Sequence, residues 1–195
     1  PSLATRADAD PEPSALRFKL TGTIGTAGFG ATQAIVADNV ERILTDLASE
    51  YPSVRTIILS IDSPGGALTG RGELIEVFDG FRDRFRFVFV VERAMTAALQ
   101  VALSGDEMLV VPGGVVGSAT LSLGGDEVIL GREFETWRNE LAATLMRYRN
   151  VSEDTATALA RYFVEPDREL WWQADTRTAA NRPGPEPGWK RIGSG

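Results

Sequence analysis

Hydrophobic and polar positions change their period in blocks along this chain. Leu16–Thr23 alternates as a strand does, and a Gly-rich stretch, Gly22–Gly30, follows it. Val36, Val40, Ile43, Leu44 and Leu47 then recur at i, i+4, i+7, i+8 and i+11. Asp38, Glu41, Arg42 and Asp46 take the other side, which predicts an amphipathic helix. Val54–Ile61 is β-branched with little alternation, as in a strand buried on both faces, and it ends in the sharp turn Asp62-Ser63-Pro64-Gly65-Gly66. A second amphipathic helix is predicted over roughly Gly70–Phe81, and a strand over Phe85–Val91. Met95–Ser104 is apolar on all sides and reads as a short buried helix ending at Gly105. Glu107–Val111 is a third buried strand, stopped by Pro112-Gly113-Gly114, and Val128–Leu130 is a further short strand. Two helices close the pattern, about Arg132–Arg149 and Glu153–Phe163, the second with Ser152 as its N-cap.

Alternating strands and helices, with strands that are nearly all apolar, predict an α/β protein with a mostly parallel sheet. Residues 1–14 read as a flexible lead-in, 15–172 as one domain, and 173–195 as an irregular, truncated tail rich in Pro and Gly. In parallel sheets, sites gather where strands end at their carboxyl side. Two such turns stand out, Asp62–Gly66 and Glu92–Thr96.

Composition narrows the chemistry. The 195 residues suit one sizeable domain. There are no cysteines and no histidines, and the only lysines are Lys19 and Lys190. A disulfide framework, a Cys or His metal site, a Ser-His-Asp triad and a cysteine nucleophile are all excluded. The net charge of −7 argues against a nucleic-acid partner. The longest apolar runs, such as Phe87–Val91, are too short to span a bilayer. Because the chain starts at Pro1, a trimmed leader or anchor is compatible with it. No cofactor is implied.

The two glycines of Ser63-Pro64-Gly65-Gly66 reach φ values that other residues resist, and they leave backbone N–H groups free to face an oxyanion. A plain Pro-Gly turn is the simpler reading of that motif alone. Thr96 stands where a strand gives way to a buried helix, so its hydroxyl lies at the positive end of the helix dipole. Such a place favours a nucleophile, although for Thr96 taken alone a simple helix cap is the better reading. Gly113–Thr120, which includes Gly117 and Ser118, is either a third backbone-rich edge or an ordinary glycine loop. Trp171-Trp172 reads as packing or an interface.

Together these segments resemble the ClpP-class serine peptidases. Ile57–Gly66 looks like the family signature, nearest the signal peptide peptidase A and NfeD-like membrane peptidase branch. Ala94–Met108 is similar to its nucleophile helix, and Pro112–Thr120 to the Pro-Gly…Gly-Ser loop that follows. The resemblance covers roughly Leu16–Leu130. It implies the ClpP/crotonase fold, a spiral of β-β-α units often assembled into homo-oligomers. It further implies a nucleophile at Thr96, an oxyanion hole from Gly66, Gly65 and the Ala97 N–H, and a groove for a peptide or protein substrate past Ser63, Pro64, Gly117 and Ser118. A membrane-associated or extracytoplasmic setting, with a membrane-associated partner, is implied in the same way.

Two departures bear on activity. The family has serine where Thr96 stands, and the extra methyl stiffens χ1 and crowds the hydroxyl. The family's base is His in the ClpP branch and a downstream Lys in the signal peptide peptidase branch. Here Arg132, Arg138 and Arg147 occupy the relevant region, and arginine stays protonated. The reading is therefore a degenerate peptidase that still binds extended peptide. The alternatives are an enzyme that borrows its base, a non-catalytic oligomeric scaffold, and a crotonase-type acyl-CoA enzyme.

Overall fold

A computed structural model describes residues 13–25, 34–117, 132–165, 169–173, 178–181 and 190–194. Its centre is a four-stranded, wholly parallel sheet. The strands are β1 (Ala15–Thr21), β4 (Thr56–Ser63), β5 (Arg86–Met95) and β6 (Glu107–Gly117), side by side in the order β1-β4-β5-β6. Two short strands, β2 (Thr23–Ile24) and β3 (Ala34–Ile35), pair in parallel beside it. Parallel neighbours need crossovers, and helices supply them: α1 (Ala37–Glu50), α2 (Leu68–Gly80) and α3 (Ala97–Ser104). This is the α/β architecture that the hydrophobic pattern predicts. The lead-in up to residue 12 and the strand expected at Val128–Leu130 lie outside the described residues.

Alternate residues of β4 and β5 (Ile57, Leu59, Ile61, Phe87, Phe89 and Val91) are at most 2% exposed and form the main core with α1, α2 and α3. Phe78 of α2 meets Phe87 and Phe89 edge-on, with ring centroids 5.0 and 5.5 Å apart. On its other side α3 packs Leu99 and Leu103 against α4 (Arg132–Arg149) and α5 (Glu153–Val164). Ser152 caps α5 as expected, its hydroxyl accepting the Thr155 N–H at 3.3 Å. Helix α3 is thus buried at every position, as its uniformly apolar sequence requires.

Three expectations change. Strands β5 and β6 do not stop at Val91 and Val111; they resume pairing as Arg93↔Val115, Ala94↔Val116 and Met95↔Gly117. Pro112-Gly113-Gly114 is therefore a bulge inside a strand and not its end, because the ladder on either side tolerates extra residues at an edge. The short helix begins only at Ala97, since Met95 is still paired in the sheet. Finally, the region expected to be irregular beyond residue 173 contains β8 (Thr178–Ala180) and β9 (Lys190–Ser194). Both pair antiparallel with β7 (Glu169–Gln173), a strand that the hydrophobic pattern does not announce. No helix among the described residues is long and apolar enough to cross a membrane.

The carboxyl end of α3 is closed by cations, which suit its negative dipole end. Arg149 donates to the Ala102 carbonyl at 3.0 Å, and Arg82 to the Ser104 carbonyl. Arg82 also binds Asp79 at 2.7 Å and Asp106 at 3.1 Å. Its guanidinium lies 4.8 Å from the Tyr148 ring centroid, and Arg147 lies 4.9 Å from it. Burial holds the Arg149 guanidinium below its usual value. Burial, with the hydrogen bond to Asp79 second, pushes the Tyr148 hydroxyl up to about 12.

This packing sets stability in two testable ways. Phe78→Ala should cost about 3–5 kcal/mol in urea unfolding, the usual range for a fully buried aromatic. Tyr148 has a folded pKa raised above its unfolded value of about 10, so its contribution is complete below that pH and is lost as pH rises through about 12. The stability advantage of the native chain over Tyr148→Phe should therefore be constant at neutral pH and shrink across that alkaline window. An advantage that grows with pH would contradict it.

Candidate functional site

Strands β4 and β5 are neighbours, so the turns at their carboxyl ends meet. Ser63 is fully buried, and its hydroxyl accepts the Gly65 N–H at 3.1 Å. That bond folds the Ser63–Gly66 turn onto itself and occupies the Gly65 donor. Gly65 and Gly66 adopt φ of +101° and +149°. A Cβ on Gly65 would overlap Thr96 Oγ1 and lie 2.8 Å from the Met95 carbonyl oxygen, so only glycine fits. The two motifs singled out in the sequence, some thirty residues apart, are in van der Waals contact here.

Gly66 forms an isolated parallel bridge with Ile24. The bridge uses its neighbours: the Ile24 N–H donates to the Gly65 carbonyl at 2.8 Å, and the Ala67 N–H to the Ile24 carbonyl at 2.9 Å. In that pattern the N–H of Gly66 itself points away from Ile24.

Thr96 joins β5 to α3 at φ 45° and ψ −118°. A β-branched residue at positive φ is a genuine outlier, costing on the order of 1–3 kcal/mol. Thr96 is the residue before the first turn of α3, yet its side chain makes no capping bond. Its hydroxyl instead faces the Pro64 carbonyl oxygen at 3.5 Å. The plain capping reading therefore does not account for this threonine. Its own N–H donates to the Gly117 carbonyl at 3.4 Å, which ties the end of β6 to the junction. Ala97 opens α3, where the first N–H groups of a helix have no partner within it. Ser118 lies outside the described residues.

One turn further along α3, Gln100 is the sole polar residue between Ala97 and Leu103, and it is 3% exposed. Its amide nitrogen donates to Thr144 Oγ1 at 2.6 Å and to the Glu140 carbonyl at 3.1 Å. Its amide oxygen accepts from Arg71 at 2.7 Å. Arg71 also binds the Glu140 carboxylate at 2.9 Å and stands 5.0 Å from the Trp137 ring centroid. This network fastens α2, α3 and α4 together directly behind Thr96. Sequence reasoning passed over it, although a lone glutamine in an apolar helix was its visible signal.

Neither lysine is placed at the junction. Lys19 pairs with Glu92 at 3.0 Å on the face of the sheet away from α3. Lys190 lies in β9, paired with Trp172 of β7. Arg138 is bound to Glu165 at 3.0 Å and Arg147 to Asp79 at 2.8 Å, while Arg132 opens α4 at the surface. Among the described residues no acidic cluster could hold a metal ion.

No protein-family model and no curated protein matches the sequence. Solved structures do. A serine-to-alanine mutant of the 1510-N membrane-bound stomatin-specific protease superposes with a TM-score of 0.58 at 18% identity, over 77% of this chain and 69% of that one. A lysine-to-alanine mutant of the same protease, in complex with a substrate peptide, gives 0.58 and 18% over 80% and 67%. This chain has the fold of the ClpP-class serine peptidases. The ClpP protease catalytic domain from Plasmodium falciparum is also similar, at a TM-score of 0.45 and 16% identity over 72% of this chain and 70% of that one.

The close approach at Gly65 makes a prediction with a built-in control. Gly65→Ala should destabilise by about 1–3 kcal/mol or more, from its positive φ and the collision with Thr96 and Met95. Gly72→Ala, in the interior of α2 with nothing near its absent Cβ, should stabilise by about 0.5–1 kcal/mol. Chemical unfolding of both variants checks the opposite signs.

Proposed function

We propose that this ClpP-class domain binds an extended peptide across the Ser63–Gly66 turn and the Thr96 junction, with peptide hydrolysis lost or very slow. The observation that carries the reading is Thr96 itself. It is held in a strained conformation against Gly65, at the start of a buried helix, with a hydroxyl that caps nothing. Strain of this kind concentrates at functional sites. In this reading the N–H groups of Gly66 and Ala97 point at the carbonyl oxygen of the bound peptide. Gly65 takes no part as a donor, because Ser63 already engages its N–H. Pro64 and Gly117 shape the groove on either side.

For hydrolysis, Thr96 Oγ1 would add to the carbonyl carbon while its proton passes to a base. The acceptor it faces is a backbone carbonyl, which cannot take a proton at neutral pH. Lys19, held by Glu92 on the far face, is not placed to help. Loss of a general base costs about 10²–10⁴ in rate, and the threonine methyl adds to that. What remains is a peptide-binding groove with an oxyanion hole.

The test pairs binding with labelling. Fluorescence polarisation with a library of extended peptides should show saturable binding that Gly66→Val abolishes in a folded variant. A fluorophosphonate probe should leave position 96 unmodified, in the native chain and in Thr96→Ser alike. Rapid labelling at Thr96 would show a working base, and an absence of any peptide binding would remove the proposal.

A further inference from the structure

The helices α1 to α5 all stand on one side of the central sheet. Parallel sheets are ordinarily covered on both faces. The second face is formed by the other alternate residues, and among the described residues none of its apolar side chains belongs to a core cluster. Ile58, Val88 and Val90 are half-buried there, while Leu109 and Val115 are 53% and 50% exposed.

The registers align this face in rows. The first reads Arg17, Ile58, Val88, Glu107 across β1, β4, β5 and β6. The second reads Lys19, Ser60, Val90, Leu109, and the third Thr21, Asp62, Arg93, Val115. The first row is a cation, two apolar residues and an anion. Within one copy Arg17 donates to the Ser60 hydroxyl at 2.8 Å and pairs with no carboxylate among the described residues, while Glu107 is held by Arg86 beside it. A twofold axis running along the strands, between two such faces, lays β1 over β6 and β4 over β5. Under that operation Arg17 meets Glu107, Ile58 meets Val88, and Asp62 meets Arg93. Every one of these contacts is reciprocal, which is the requirement of an isologous interface. The face as a whole carries Arg17, Lys19, Arg86 and Arg93 against Asp62, Glu92 and Glu107, so it is close to neutral on a chain of net charge −7. It is a surface on which two acidic copies can approach without strong repulsion. Edge-to-edge addition at β6 is opposed by Pro112, which has no N–H, and by the bulge around it.

We infer that the outer face of the β1-β4-β5-β6 sheet is a face-to-face interface between two copies of this chain, related by a twofold axis along the strands. Arg17 and Glu107 lie at opposite ends of one row, three strand spacings or about 14 Å apart. They cannot pair within one copy, which makes them a clean probe. Sedimentation equilibrium over a range of concentrations should show the native chain as a dimer that dissociates on dilution. Arg17→Glu and Glu107→Arg should each weaken it by about tenfold or more in Kd, and the double reversal should restore it. Leu109→Asp, at an exposed position, should also give a monomer with an unchanged circular dichroism spectrum. A native chain that is monomeric throughout would overturn the inference. So would a dimer indifferent to these substitutions, or a double reversal that stays monomeric.

Discussion

The parallel pairing of β4 with β5 is the interaction on which the rest depends. It supplies the buried rows Ile57–Phe87, Leu59–Phe89 and Ile61–Val91 that the helices pack against. It also decides that the loops leaving both strands emerge at the same end of the sheet. Shifts in register after Ile61 and Val91 loosen the ladder there, just where the backbone must turn away into α2 and α3. Without that alignment Gly65 and Thr96 would be two unrelated turns.

Helix α3 carries the consequences through the molecule. Its first residue follows the strained Thr96, its middle is tied by Gln100 to Arg71, Glu140 and Thr144, and its last carbonyls are closed by Arg82 and Arg149. A short helix with no exposed face has few ways to move, since its carboxyl end and its buried Gln100 side chain are satisfied by different elements. That rigidity is what permits a β-branched residue to be held at φ 45°. The same rigidity would support an oxyanion site made of backbone donors, whose value lies in needing no reorganisation.

Neither lysine reaches the Thr96 junction. Lys19 is drawn to the opposite face of the sheet by the alternation of β1 and held there by Glu92. Downstream, Arg138 and Arg147 are spent on ion pairs with Glu165 and Asp79. Among the described residues the Thr96 hydroxyl faces the Pro64 carbonyl oxygen, and the binding role proposed above rests on that side-chain chemistry and not on the fold alone.

Much of the architecture was legible along the chain. Helical and strand periods depend on local backbone geometry, so α1, α4, α5 and the apolar strands could be read from residues a few positions apart. Thr96 and the Ser63–Gly66 turn could be named as well, because glycine pairs and a threonine at a strand–helix junction have local meaning. The continuation of β5 and β6 past Pro112 could not, nor the β7–β9 strands, since pairing across a bulge or with a distant partner leaves no local trace. Which groups meet, by contrast, emerges only once the chain is folded. Gly65 against Thr96, Gln100 against Arg71, and the rows from Arg17 to Glu107 all depend on strand register and helix packing, which join residues that the sequence keeps far apart.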